Sequence, residues 1–345
     1  MKLAVIGSGF FGITLGLILS KKHEVDIYEK ENSILNGASS SNQFRFHLGY
    51  HYPRSQKTMH EINKSKDLFI SYYGKKIFGK TFNYYLVANT SKITYKKYEK
   101  FLIRNNLYYV SKNLFSNNKF IEKTILTNEK ILNIFNFKKI VINKIKKSNL
   151  NLKLKKEFSK KNLKEYDKVI IATYSNNNLL LRKLGIKKLY DYKFELVEKI
   201  LVKLPKQYLK KSFIVIDGNY VCVDPYLGTK YHLLSDVKLS KLETKIGKFP
   251  TFKNKNKKYL NKGIIKNIKI SRFNKFINRS SNYLPFLRDA KYIGSMYVVR
   301  TIKKDKEKTD ERTSSVNFHS NKILSVLSGK WNNCVYLAKN LSLIK

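Results

Sequence analysis

KLAVIGSGFFGITLGLILSKKHEVDIYEK, running from Lys2 to Lys30, is the stretch on which the fold turns. Lys2–Ile6 is a short apolar run ending at a glycine, the pattern of a strand buried on both faces. Phe11–Ser20 predicts a helix, with Lys21 and Lys22 placed to meet its negative C-terminal end. Glu24–Tyr28 alternates and carries β-branched Val25 and Ile27, which predicts a second strand. Strand, turn, helix and strand fit within about 30 residues, the size of a βαβ unit. The turn between them reads Gly7-Ser8-Gly9-Phe10-Phe11-Gly12, a G-x-G-x-x-G. In that pattern the first glycine makes the tight turn, the next lets backbone approach a pyrophosphate, and the third lets the helix settle on the sheet. The helix N-terminus then offers free N–H groups and positive dipole to the phosphates. Glu29 follows at the expected distance of about 20 residues, where a carboxylate accepts from a ribose diol and disfavours a 2′-phosphate. These residues predict a dinucleotide site and leave open which dinucleotide it takes.

The whole chain has 345 residues, 42% of them hydrophobic and 13% aromatic. That supports a large core, and either two domains or one nucleotide-binding domain with another inserted into it. No stretch is rich in Pro, Gly or Ser, so no flexible linker is expected. Lys and Arg number 70 against 24 acidic residues, a formal net charge of +46. Such a balance suits a nucleic-acid or acidic-glycan partner. The lysines are spread along the chain, with concentrations at 138–168 and 253–269 and no arginine-rich arm. That spread fits a Lys-, Asn- and Ile-heavy codon bias and a solubilising surface, with nucleic acid the lesser expectation. Cys222 and Cys334 stand far apart in no CxxC pattern, which indicates neither a disulfide framework nor a zinc site; no metal is expected. The apolar N-terminus resembles a signal peptide, but its glycines and the strand that follows argue against one, and no run reaches the ~18 residues of a membrane span. A cytoplasmic location is expected.

Further along, Asn36–Ser55 reads as a polar loop with clustered His and Tyr, and Lys57–Tyr73 as a helix. Thr81–Ala88 predicts a strand and Tyr95–Asn105 a helix. Asn136–Lys155 predicts a hairpin, with Lys139–Lys144 and Leu150–Leu154 as its strands. Strands are also expected at Lys168–Ala172, Phe194–Lys203, Phe213–Val223, Tyr231–Ser235 and Tyr292–Val299, and a closing helix at Gly329–Leu341.

Four stretches resemble the D-amino-acid-oxidase-like FAD-dependent oxidoreductases, a family that includes glycerol-3-phosphate dehydrogenases, L-2-hydroxyglutarate oxidases and sarcosine and glycine oxidases. They are the Lys2–Lys30 unit, ASSSNQFRFHLGYHYPRS, KEYDKVIIATYSNNNLLLRKLG and LSVLSGKWNNCVYLAKNL. ASSSNQFRFHLGYHYPRS is similar to the family's loop that follows strand two, with Ser39, Ser40, Asn42, His47, Gly49 and Tyr52 at the matching places. LSVLSGKWNNCVYLAKNL resembles the closing Gly-Lys-Trp helix start of the glycerol-3-phosphate dehydrogenases. The resemblance implies an α/β fold: a Rossmann-type FAD-binding domain with an inserted α+β substrate domain on an antiparallel or mixed sheet. The FAD domain would comprise 1–75, 125–183 and 290–345, and the substrate domain 76–124 and 184–289.

By the same resemblance FAD is the cofactor. Gly7, Gly9, Gly12 and Glu29 would hold its AMP half, with Phe10, Phe11 and Lys30 beside them. Ser40, Ser41 and Asn42 would meet the pyrophosphate or ribityl chain, Ile142 on the hairpin would offer backbone to adenine, and Ala172 and Thr173 would pass near the cofactor. Gly329, Lys330 and Trp331 would present backbone N–H to the flavin O2 side. Tyr174 departs from the family, which has glycine at that place in its late strand.

The expected reaction is transfer of a hydride to the flavin from a C–H next to an amine or hydroxyl of a small acidic substrate, carboxylated or phosphorylated. The alternatives are a flavoenzyme of sugar-nucleotide or surface-glycan metabolism and a basic flavoprotein acting on tRNA. His47 and His51 are the candidate acid/base groups, because imidazole titrates near working pH. Arg300, at the end of MYVVR, is the candidate carboxylate clamp, because a guanidinium fork matches a carboxylate. Arg45 and Arg54 are lesser candidates, Asp310 and Arg312 would order the loop after Arg300, and Tyr84, Tyr85, Tyr226, Tyr231 and His232 would line a pocket or the core. Phe10, Phe11, Phe44 and Phe46 would pack around the cofactor.

Overall fold

The computed structural model of the chain describes residues 1–218, 220–306 and 309–342. The last residues of the expected cofactor domain, 343–345, lie outside them. Two large sheets dominate. The first has six strands in the order Ser315–Phe318, Ile323–Leu327, Lys168–Ile171, Lys2–Ile6, Glu24–Glu29, Leu150–Leu154. All its pairs are parallel except the edge pair Ser315–Phe318 with Ile323–Leu327. Parallel strands need covered faces, and Leu3, Ala4 and Val5 are buried accordingly.

The helix Phe10–Leu19 leaves the first strand through the glycine turn. All ten of its residues are buried, which explains why its sequence is apolar all round rather than amphipathic. Gly7 has φ +97°, and a Cβ on Gly12 would stand 1.8 Å from the Gly7 carbonyl oxygen, so helix and turn close on each other only as glycine. The helices Gln56–Tyr73, Ile134–Lys146 and Cys334–Leu341 share this core: Phe69, Phe137 and Leu337 belong to the same buried cluster as Phe10.

The other large sheet is mixed. Its path runs through Lys241–Gly247, Tyr192–Lys203, Tyr231–Asp236, Val221–Tyr226, Lys211–Ile216, Phe82–Ala88, Ile121–Thr127 and Tyr109–Lys112, and Lys291–Lys303 lies along Tyr192–Lys203. A small sheet of Arg45–Phe46, Lys130–Leu132 and Phe78–Gly79 completes the set. Leu201, Leu233 and Met296 of the mixed sheet pack into the same cluster as Phe10 and Leu17, so the two layers share a core. Among the described residues no helix is long and apolar enough to cross a membrane.

Most expected elements stand within two residues of their places, and three expectations need correction. The hairpin over Asn136–Lys155 is instead the helix Ile134–Lys146 followed by the strand Leu150–Leu154. Ile134, Phe137 and Val141 recur at helical spacing and are the buried face, and Asn133 caps the N-terminus by accepting from Phe135 and Asn136 N–H. Phe213–Val223 is two strands, Lys211–Ile216 and Val221–Tyr226, because the chain turns at Asp217-Gly218. The boundary at 290 also moves: Lys291–Lys303 pairs along its length with Tyr192–Lys203 and so belongs to the mixed sheet.

Candidate cofactor and active site

The first sheet delivers its site residues at the ends of adjacent strands. Glu29 Oε2 accepts from Ser8 N at 2.9 Å and from Ser8 Oγ at 2.7 Å, and its Oε1 accepts from Glu31 N at 3.0 Å. The carboxylate is therefore fixed beside the glycine turn, with lone pairs remaining on both oxygens. Ser39 Oγ reaches the start of the first helix, where it accepts from Phe10 N at 3.3 Å and lies 3.0 Å from where a Gly9 Cβ would be. A dinucleotide fits these residues: a bare turn, a helix N-terminus topped by one hydroxyl, and a carboxylate at the neighbouring strand end. Ala172 O lies 2.8 Å from a built Gly7 Cβ, so the chain leaving Lys168–Ile171 crosses directly behind the turn. Thr173 N and Oγ1 both donate to Asn177 Oδ1.

The other assigned residues divide. Ser41 is buried with its hydroxyl 3.6 Å from Met296 Sδ, Ser40 Oγ donates to Gly37 O, and Asn42 braces its own loop through Ala38, Ser39 and Phe44. Lys30 is exposed and pairs with Glu31, at 3.6 Å. Phe10 and Phe11 are core residues, Phe10 stacking on Trp331 with ring centroids 5.1 Å apart. Ile142 is corrected: it sits on an exposed face of a helix, where the backbone is occupied by the helical ladder and is not available to adenine.

The closing segment brings the C-terminal end of the chain to the loop that holds His47. A Cβ on Gly329 would stand 2.1 Å from Arg312 O, so the two segments cross in backbone contact, and Gly329 N donates to Ser314 Oγ. Lys330 follows at the turn. Trp331 enters the aromatic core with Phe10, Phe46 and Phe69 around it. Lys330 Nζ lies 3.4 Å from His47 Nε2 and 4.7 Å from the centre of the Tyr52 ring. His47 Nδ1 faces Glu129 Oε1 at 3.2 Å, and Glu129 Oε2 accepts from Tyr85 OH at 2.9 Å.

Burial sets the protonation of this cluster. It drives His47 well below the usual imidazole range, helped by Lys330, His51 and Arg45. It lowers His51 to about 4 against the pull of Asp310. Glu129 is pushed up to about 7, chiefly by burial and against Arg45 and the Tyr85 hydroxyl. Burial and then Arg312 bring Lys330 down to about 7. On the sheet beneath, Lys199 takes an inward position between Val197 and Leu201 and is lowered to about 8 by burial and Arg300.

Each arginine around the cluster has its own carboxylate. Arg45 pairs with Asp224 in full burial, Arg54 with Asp217, and Arg312 with Asp310. Arg300 is held by Glu195, to which its Nε also donates at 2.6 Å. Its Nε and one Nη are thus taken up by a buried protein carboxylate, and the side chain is 40% exposed. Of the tyrosines, Tyr85 faces the site. Tyr84 lies on the opposite side of the sheet, stacked on Phe213, and Tyr226 stacks on Phe44. His232 is buried with Nε2 2.9 Å from Tyr208 O. A cleft of about 400 Å³ lined by Phe115, Asn118, Phe120 and Pro285 opens elsewhere; its charged lining groups, Lys119 and Arg288, are both cations and make no acid–base pair.

Sequence reasoning missed Glu129, Lys199 and Ser39's place on the helix. Lys199 carried a signal, a lysine at an inward-facing position of an apolar strand. Glu129, in TNEKI, carried none.

No protein-family model matches the chain. A curated FAD-dependent monooxygenase of Fusarium mangiferae is 27% identical over 109 residues, 31% of this chain and 30% of that protein, so the match spans about a third of each. Among solved structures, glycine oxidase from Geobacillus kaustophilus superposes with a TM-score of 0.68 at 13% identity, covering 99% of this chain and 92% of that one. NikD, an unusual amino acid oxidase essential for nikkomycin biosynthesis, superposes with a TM-score of 0.69 at 10% identity, covering 99% and 93%. Likeness over nearly the full length of both chains settles the architecture: the chain has the fold of glycine oxidase and NikD.

Proposed function

We propose that the protein binds FAD and oxidises a C–H next to the amine or hydroxyl of a small acidic substrate. The observation that carries this reading is the pairing of two half-sites on one fold. At one end stands the Gly7–Gly12 cradle with Glu29 fixed on Ser8. At the other stands a buried acid–base cluster of His47, Glu129 and Lys330. The names of the neighbours, an amino acid oxidase and a glycine oxidase, favour an amine as the oxidised group.

FAD, when bound, supplies the two-electron acceptor. The chain's own residues have four tasks. Gly7, Gly9 and Gly12 leave space for phosphate, and Glu29 accepts from the ribose. The aromatic wall of Phe46, Trp331 and Tyr52 excludes water, which strengthens every polar contact inside. Lys199, a cation with no carboxylate at ion-pair distance among the described residues, draws in an anionic substrate. The His47 cluster accepts the proton that an amine or hydroxyl must lose.

Purified protein should take up FAD, show the two-banded flavin absorption and release the flavin on acid precipitation. Glu29→Gln, which loses the charge but keeps the shape, should weaken FAD binding about 10-fold by flavin-fluorescence titration. A colourless protein that takes up no added FAD would sink the proposal.

A further inference from the structure

We infer that Glu129, His47 and Lys330 form a buried proton relay whose outer group, the Lys330 amine, is the base that takes the substrate's proton. The inference rests on the flavin reading for the identity of the proton donor, not for the existence of the relay.

The geometry is a chain of three groups. Lys330 Nζ is 3.4 Å from His47 Nε2, and His47 Nδ1 is 3.2 Å from Glu129 Oε1. Both ring nitrogens thus face an ionisable group, so the imidazole can take a proton on one side and release it on the other. Nδ1 and Oε1 are both buried, and neither has a hydrogen-bond partner in this structure; at 3.2 Å each is the group placed to satisfy the other. Tyr85 OH on the other Glu129 oxygen fixes the carboxylate, and the Asn332 side chain donates to His47 O at 3.5 Å. With a proton on Nδ1 directed at Glu129, Nε2 is left as the acceptor that faces the lysine.

The surroundings make the amine the base. Around Lys330 stand Arg312 and Arg300, which oppose its charge, Asp310 and Glu129, which favour it, and the Tyr52 ring and His47. Asp310 is committed to Arg312, and no carboxylate lies at ion-pair distance from Lys330 among the described residues. Around His47 stand Lys330, His51, Arg45 and Glu129; around Glu129 stand Arg45, Tyr85, Asp224, Lys330 and His47. The amine is lowered to about 7 and the carboxyl raised to about 7, so the two ends of the chain exchange a proton at little cost near neutrality.

The step balances. A substrate N–H or O–H gives its proton to the neutral Lys330 amine, and the substrate keeps the electron pair of the broken bond. The ammonium so formed passes a proton to His47 Nε2, while His47 Nδ1 gives its own to the Glu129 carboxylate. The amine is restored, and one proton rests on Glu129.

Trace acetylation of the purified full-length protein with acetic anhydride across pH 5–10, read by mass spectrometry, tests this without any substrate. Lys330 should label with an apparent pKa of about 7, while exposed lysines follow an apparent pKa of about 10.4. Glu129→Gln should lower the Lys330 value by about 0.5–1 unit, since a favourable charge is lost. In a His47→Asn background the same substitution should move it by less than about half as much, because the coupling runs through the ring. Lys330 titrating with the exposed lysines, or a Glu129 effect undiminished without His47, would overturn the relay. The flavin titration fails separately: FAD uptake with an ordinary Lys330 leaves the flavin reading without the relay, and a low Lys330 value without FAD uptake leaves the relay without the flavin.

Discussion

Tyr174 shows how much a single residue can carry. It stands at φ +57°, where L-residues other than glycine and asparagine are strained by about 1–2 kcal/mol. A conformation that suits glycine is thus held with a large side chain in place. Its hydroxyl donates to Thr301 O and accepts from Thr301 N, both at 2.9 Å, and so ties the loop after Lys168–Ile171 to the mixed sheet. Tyr174→Phe should cost about 1–3 kcal/mol in urea unfolding, because both Thr301 groups lose their partner in a buried place. An unchanged midpoint would mean that water replaces the hydroxyl. The same scale explains what was legible in the sequence. Gly7, Gly12 and Glu29 are constrained by neighbours within one βαβ unit, so their spacing states their role. Glu129 acquires its role only when the small sheet carries it against His47, and nothing adjacent to it in TNEKI announces that.

At the scale of elements, the period of the apolar residues decided where the reading held. Lys2–Ile6 stands as expected because a short apolar run ending at a glycine has no room for a helix, and Leu150–Leu154 because LNLKL alternates with the period of a strand. Ile134–Lys146 misled because the β-branched run Ile140-Val141-Ile142 in its later half imitates a strand, while the helical face begins earlier at Ile134 and Phe137. The cap was the deciding signal: Asn133 satisfies two of the first N–H groups, which a hairpin would not require. Asn133→Ala should therefore destabilise the protein by about 1 kcal/mol without altering the sheet, read as a lower urea midpoint with an unchanged slope. A loss of several kcal/mol would mean that the cap also holds the Phe78–Gly79 segment, to which Asn133 N is joined through Ile77 O. The mixed sheet was less legible for a related reason. Ile121–Thr127 and Lys241–Gly247 are short and mixed in polarity, and only pairing with long neighbours makes them strands.

Over the whole molecule, charge is organised in two ways. Inside the site the arginines are neutralised in place, Arg45 by Asp224, Arg300 by Glu195 and Arg312 by Asp310, so little of the net +46 resides there. Most of the excess falls on lysines of the surface, where the field is screened over about 10 Å at 0.1 M salt and over about 30 Å at 0.01 M. Like charges spread over a compact body repel one another, and unfolding relieves that repulsion. Stability should then rise with ionic strength: moving from about 0.01 M to about 0.15 M NaCl should raise Tm by about 2 °C or more, equivalent to about 1 kcal/mol. The buried pairs are shielded from salt and should contribute little to the change, so Asp224→Asn, at the fully buried Arg45 pair, should lower Tm but leave the salt increment intact. A Tm that falls with salt would mean that attractive pairs outweigh the lysine field, and the surface would then be a network of ion pairs rather than an unbalanced cationic coat.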